Sequence, residues 1–184
     1  MSQSTYVIGH QQPDTDTIIS AIANARLKQA QGTDAVAARA GELNPETEFV
    51  LDRWDVEAPT LLEDATGAEL MLVDHNEYSQ TVAGAREATI TEVIDHHRIG
   101  DVTTGDPISF RAEPLGSTAT ILTGLYDAAG VDIDESTAGL LLSGLLSDTV
   151  VLRSPTTTDT DREVAERLAD IAGVDYEEYG KELL

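Results

Sequence analysis
The chain has 184 residues, 41% of them hydrophobic, enough for one domain with its own core. Its 34 acidic residues against 11 basic ones leave a formal net charge of -23, which excludes a general basic face for nucleic acid. The absence of cysteine excludes disulfides, thiolate metal sites and cysteine nucleophiles. Aromatics make up 4%, so Val, Leu, Ile and Ala must fill the core. The longest apolar stretch, around Ala138 to Leu146, is too short to span a bilayer. No basic-then-apolar leader opens the chain, so a cytoplasmic protein with no membrane partner is expected. A surface this acidic suits high salt, where screening suppresses self-repulsion, and points to a halophilic source.

Thr5 to Ile8 reads as a buried strand. Asp16 to Gln31 reads as a helix, with Ile18, Ile22 and Ala25 on one face and Gly32 as its stop. Ala35 to Ala40 is a second strand, and Glu46 to Arg53 a short helix. Glu69 to Val73 and Thr89 to Ile94 are strands, and Ile108 to Ala112 is an edge strand bounded by Pro107 and Pro114. Helices follow at Ser117 to Ala129, Glu135 to Leu146, Asp159 to Ala172 and Asp175 to Leu183, the second of them apolar enough to be buried. Val150, Val151 and Leu152 read as one more strand. The alternation predicts an α/β fold, a doubly wound, mainly parallel sheet flanked by helices, as a single domain over residues 1–184.

All four histidines lie beside aspartates, in His10-x-x-x-Asp14-x-Asp16, Asp74-His75 and Asp95-His96-His97. Each of these segments follows a strand directly, and ligands of open α/β sheets bind outside the carboxyl ends of the strands. The segments should therefore meet on one rim, and Asp148, after a buried helix, could reach it. Pro13 keeps the loop extended before the helix, so Asp14 and Asp16 alternate and can serve two ions; the plainer role for Asp16 is an N-cap. Asp74 is placed to bridge two cations, or else it is a turn aspartate. His75 and Asn76 are either supporting groups or polar loop. Adjacent imidazoles at His96 and His97 project differently, so one can ligate while the other meets substrate, with Asp95 orienting a ring.

Imidazole and carboxylate ligands without sulfur suit Mn²⁺, with Co²⁺, Zn²⁺ or Mg²⁺ as substitutes. Two such ions imply hydrolysis at a phosphoryl centre, where positioning and electrostatics dominate. Arg98, Arg111 and Arg153 are the nearest basic residues for an anionic substrate, each with a surface ion pair as the plainer role. Gly116-Ser117-Thr118 could offer helix N-terminal amides to an anion, or simply cap a helix.

With Gly9-His10-Gln11-Gln12-Pro13-Asp14-Thr15-Asp16, Val73-Asp74-His75-Asn76-Glu77, Asp95-His96-His97-Arg98, Glu113-Pro114-Leu115-Gly116-Ser117-Thr118-Ala119-Thr120 and Ser147-Asp148 in order, the chain resembles the manganese-dependent (family II) inorganic pyrophosphatases of the DHH phosphoesterase superfamily. Ser154-Pro155-Thr156 and Ala172-Gly173-Val174 extend the likeness over nearly the whole chain, and Gln12 stands where the family usually has Asn. The resemblance implies a dinuclear Mn²⁺ centre with one ion on His10, Asp14 and Asp74 and the other on Asp16, Asp74, His96 and Asp148. It implies that His97 faces the phosphates and that the chain forms a homodimer; His97, Asp14 and Asp95 are the catalytic candidates, and His97 and Arg98 the candidates for binding pyrophosphate. Family members continue into a second domain whose Arg-Lys-Lys cluster grips pyrophosphate; this chain stops at Leu184, about where the linker would begin, so that C-terminal domain is expected to be missing or supplied separately. The competing readings are an exopolyphosphatase or DHH-type phosphodiesterase, and a non-catalytic metal-binding or dimerisation module.

Overall fold
The computed structural model describes residues 5–184. Six parallel strands form one sheet: β1 (Thr5–Ile8), β2 (Ala35–Arg39), β3 (Thr60–Leu61), β4 (Glu69–Val73), β5 (Thr89–Asp95) and β6 (Ser109–Ala112). Their order is β3-β2-β1-β4-β5-β6, so the direction of winding reverses between β1 and β4. The helices are α1 (Thr15–Ala30), α2 (Pro45–Arg53), α3 (Thr118–Ala129), α4 (Glu135–Thr149), α5 (Asp159–Ala172) and α6 (Tyr176–Leu183). None is long and apolar enough to cross a membrane.

The alternation along the strands divides the core in two. Val7, Val73 and Ile94 point to the face where all six helices pack, around Ile18, Ile19, Leu140, Leu141 and Leu145. Ile8, Leu70, Leu72 and Val93 point to the other face, closed by Val82 and Ala85 in the connection from β4 to β5. That connection holds two 3₁₀ turns, Tyr78–Gln80 and Ala85–Glu87, and no α-helix. The flanking helices therefore lie on one face. Between β4 and β5 the register slips at Leu70/Met71, which leaves Val73 opposite Ile94. The backbone N–H of Asp74 then donates to Ile94 C=O at 2.9 Å, so the ends of the two strands leave the sheet side by side.

Helix starts follow their caps. Asp14, not Asp16, caps α1, accepting from Thr17 N–H. Asn44 caps α2 with Pro45 in its first turn, and Ser117, Asp134 and Thr158 cap α3, α4 and α5. The predicted strand at Val150 to Leu152 is absent. Those residues have φ of 51°, 54° and 63°, a left-handed turn that reverses the chain after α4. Such geometry costs about 1–2 kcal/mol per residue for L-amino acids. It is held by Val151 N–H on Leu146 C=O at 2.8 Å and Leu152 N–H on Thr149 Oγ1 at 3.0 Å. Helix α4 therefore runs on to Thr149, and Asp148 sits in its last turn rather than after it. The two-residue β3 was not expected from the sequence; it is too short to carry a pattern.

Helix α4 reaches the sheet rim because it packs closely on its neighbours. A Cβ at Gly139 would meet the Trp54 indole at 2.2 Å, whereas one at Gly124, on the exposed side of α3, would meet nothing within 4 Å. Gly139→Ala should lower stability by about 1–3 kcal/mol through overpacking. Gly124→Ala should raise it by about 0.5–1 kcal/mol through helix propensity. Denaturant midpoints check both, and shifts of the same sign would contradict this packing.

Candidate metal centre
The neighbouring strands β1, β4 and β5 deliver the site at their carboxyl ends, where the sheet changes direction. His10 follows β1, Asp74 follows β4, and Asp95 ends β5 ahead of His96 and His97. Asp14 and Asp16 come from the start of α1, and Asp148 from the end of α4.

Asp74 lies at the centre, 1% exposed. Its φ of 63° is one that Asp tolerates better than most residues, and it turns the chain sharply off the strand. Its Oδ2 is 3.5 Å from His10 Nε2 and accepts from Thr17 Oγ1 at 2.7 Å. Its Oδ1 is 3.3 Å from His96 Nε2 and accepts from Thr118 Oγ1 at 2.9 Å. Two donor sets thus share Asp74, one on each oxygen: His10, Asp14 and Asp74, and Asp16, Asp74, His96 and Asp148, the atoms of each lying within 4.8 Å of one another. A third set, Asp74, His96 and His97, is equally tight. It is a poorer cradle, because the His97 nitrogen near Asp74 is Nδ1, 2.7 Å from Asp95 Oδ1.

The rings are oriented by backbone carbonyls. His10 Nδ1 is 2.7 Å from Gln11 C=O and His96 Nδ1 is 2.9 Å from Leu115 C=O, contacts that assign the Nδ1 proton and turn Nε2 toward the acids. His96 Nε2 is buried and makes no well-directed hydrogen bond, yet it stands 3.1 Å from Asp148 and 3.9 Å from Asp16. A ring lone pair among carboxylate oxygens is repulsive unless a cation or a proton lies between them. The donor set therefore fits a divalent metal ion with nitrogen and oxygen ligands.

Protonation follows the same geometry. Burial lowers the His96 pKa, but the adjacent carboxylates of Asp148 and Asp74 outweigh it and push it up to about 12. Burial likewise opposes charge on His10, while Asp14 and Asp74 raise it to about 10. Burial and the charges of Asp74 and Asp148 push Asp16 well above the ordinary carboxylate range. Burial also works against ionisation of Asp74, but the neighbouring His10 and His96 rings and the hydrogen bond from Thr17 hold it low.

Asp16 is fully buried and anchored from outside its own helix. It accepts from Thr118 N–H at 2.9 Å and Ala119 N–H at 3.1 Å, the free amides at the start of α3. Gly116 N–H donates to Asp161. Of the three residues whose amides the sequence offered to an outside anion, Gly116 and Thr118 thus donate to the protein's own carboxylates.

Asp95, also fully buried, accepts from His96 N–H, His97 N–H and Asn76 Nδ2 as well as the His97 ring. It therefore supports both histidines and belongs to none of the three donor sets. His97 is half exposed, and its bond to Asp95 raises its pKa. It borders a cleft of about 620 Å³ with His10, His75, Gln80 and Arg98. Arg98 is exposed and lies 3.2 Å from Glu77 at the cleft mouth. Arg111 pairs with Glu113 and lines a different groove. His75 is buried beside the cleft with Nδ1 on Val73 C=O, and burial pushes its pKa down. Sequence reasoning missed the hydroxyls of Thr17 and Thr118 on Asp74; their positions, one turn into α1 and at the start of α3, were the available signal.

The profile of the DHH family N-terminal domain matches residues 4–145. The chain belongs to the DHH family. This DHH domain is 53% identical over 180 residues to an Exiguobacterium protein named "Probable manganese-dependent inorganic pyrophosphatase", covering 97% of this chain and 58% of the relative. It is 47% identical over 185 residues to the manganese-dependent inorganic pyrophosphatase of Methanothrix thermoacetophila, covering 100% of this chain and 60% of that one. A Methanococcus jannaschii structure named for family II inorganic pyrophosphatase superimposes with a TM-score of 0.90 at 47% identity, covering 97% of this chain and 60% of that chain. The chain thus spans about three-fifths of the length of the relatives it matches.

Protons compete with metal for the DHH domain's imidazoles, so apparent Mn²⁺ affinity should rise with pH from 6.5 toward 10. In the metal-free chain the charged rings stabilise fully below the unfolded histidine value of 6.5, and lose that contribution as pH climbs to the folded values of about 10 and 12. Its melting temperature, measured with a chelator present, should therefore fall steadily from pH 6.5 to 10. A flat profile in both measurements would mean that the rings are neutral before metal binds.

Proposed function
We propose that this DHH domain holds two divalent cations, Mn²⁺ foremost with Co²⁺ or Mg²⁺ as substitutes, and serves the hydrolysis of inorganic pyrophosphate to two phosphates. The observation that carries the reading is the division of Asp74 between two donor sets, one on each carboxylate oxygen. When bound, a metal pair lowers the pKa of water and neutralises phosphoryl charge.

The chain's own groups supply the rest. His10, Asp14 and Asp74 would hold one ion, and Asp16, Asp74, His96 and Asp148 would hold the other. Thr17 and Thr118 hold the bridging carboxylate in orientation through their hydroxyls. His97, fixed through Nδ1 by Asp95, keeps its other nitrogen for a phosphate oxygen. Asp95 and Asn76 act through that ring as positioning residues. Asp14, half exposed at the open side of the site, keeps one oxygen on the start of α1 and turns the other toward His10. Arg98 adds positive charge at the mouth once it leaves Glu77.

The excess of acidic residues opposes an anionic substrate at long range. Efficient turnover therefore calls for the basic residues that the family resemblance assigns to a second domain. The edge strand β6, exposed throughout, offers unpaired backbone groups for a homodimer. The acidic surface suits a halophilic setting.

Purified chain with Mn²⁺, assayed against pyrophosphate, long-chain polyphosphate and a dinucleotide, should release phosphate fastest from pyrophosphate. Metal bound with no phosphate released from any of them would instead favour a binding module. Asp74→Asn should lose both ions, while Asp148→Asn should mainly weaken one. Elemental analysis decides, and equal small losses in both variants would refute the bridge.

A further inference from the structure
Glu46, in the first turn of α2, is none of the groups assigned above, yet it joins two of the segments that carry them. Its Oε1 accepts from the hydroxyl of Thr15, which lies between Asp14 and Asp16. The same oxygen accepts from Ser147 Oγ at 2.5 Å, the residue before Asp148. No direct hydrogen bond joins Thr15 to Ser147 among the described residues. The start of α1 and the end of α4 are thus linked through one carboxylate oxygen.

The link bears on spacing. Asp16 and Asp148 approach the same His96 nitrogen, at 3.9 and 3.1 Å, from two different helices. The two carboxylates repel each other whenever both are ionised, so their spacing has to be held by the helices that carry them. The helices are also in close contact here, since a Cβ at Gly144 would meet Asp16 Oδ1 at 2.9 Å. Glu46 adds one more acid next to segments that carry Asp14, Asp16 and Asp148. Its placement makes sense as an acceptor for two hydroxyls, and α2 holds it firmly. Asn44 caps that helix through Thr47 N–H at 2.7 Å, and the Thr47 hydroxyl sits 3.0 Å from that of Thr15.

We propose that Glu46 is a positioning residue that sets the separation of Asp16 and Asp148, and so preorganises the Asp16, Asp74, His96 and Asp148 ion site before metal arrives. This rests on the reading that those four residues hold one of two ions. A preformed gap avoids the ordering cost that binding otherwise carries. Glutamine keeps the two-hydroxyl acceptor without the charge, whereas alanine removes both.

The test is a Mn²⁺ titration of the metal-stripped full chain, followed by the paramagnetic signal of free ion and by calorimetry. Wild type should show two classes of site; finding fewer would sink the two-ion reading itself. Given two classes, Glu46→Ala should weaken one by about tenfold, roughly 1.4 kcal/mol, and it should be the class that Asp148→Asn weakens. Glu46→Gln should stay within about threefold of wild type, with its hydrogen bonds weaker for want of charge. Ser147→Ala, which removes one arm, should give a smaller loss in the same class and covers the case that Glu46→Ala does not fold. Arg167→Ala breaks an exposed ion pair with Asp127 that joins α5 to α3, and it should move neither constant. Unchanged constants in both Glu46→Ala and Ser147→Ala would overturn the proposal. So would equal losses in the alanine and glutamine variants, which would assign the effect to charge rather than position.

Discussion
A buried carboxylate between two imidazoles organises this molecule. Asp74 has almost no contact with solvent, and its two oxygens face His10 on one side and His96 on the other. Asp16 and Asp148 crowd the second ring. Burying so many acids together is costly unless protons or cations balance them. The surrounding structure answers that demand locally. Two threonine hydroxyls reach Asp74, two helix amides reach Asp16, and four donors reach Asp95. What they leave uncompensated is His96 Nε2 among the acids, which a proton or a divalent ion satisfies.

The fold serves this arrangement through a few specific features. The register slip between β4 and β5 brings Asp74 and Asp95 off the sheet side by side. The left-handed Asp74 turns its side chain across the rim instead of along the strand. Glycines at 139 and 144 let α4 press against Trp54 and Ile19, so that its final turn delivers Asp148. The left-handed turn at Val150 to Leu152 then takes the chain away from the site, and Leu152 is buried in the core.

Much of the rim was legible because strand-then-loop patterns place the next residue at a carboxyl end wherever the strand lies. His10, Asp74 and His96 follow from that rule alone. The apolar run of α4 was equally plain, but its end was not: Val150, Val151 and Leu152 have strand composition, and only their φ values and the bonds to Thr149 and Leu146 show the turn. The cap of α1 fell on Asp14 because Asp16 is held by α3, a contact 102 residues away in sequence. The same distance hid Glu46, whose partners lie 31 and 101 residues off. The second face of the sheet was unreadable as helix because short 3₁₀ turns have no periodicity to detect. Arg98 lines the cleft and is paired with Glu77.

Crystals grown with Mn²⁺ and measured at the manganese absorption edge address the shared carboxylate most directly. The account predicts two anomalous peaks flanking Asp74, one beside His10 and Asp14, the other beside Asp16, His96 and Asp148, about 3.5–4 Å apart. A single peak, or peaks that leave Asp74 uncoordinated, would contradict it.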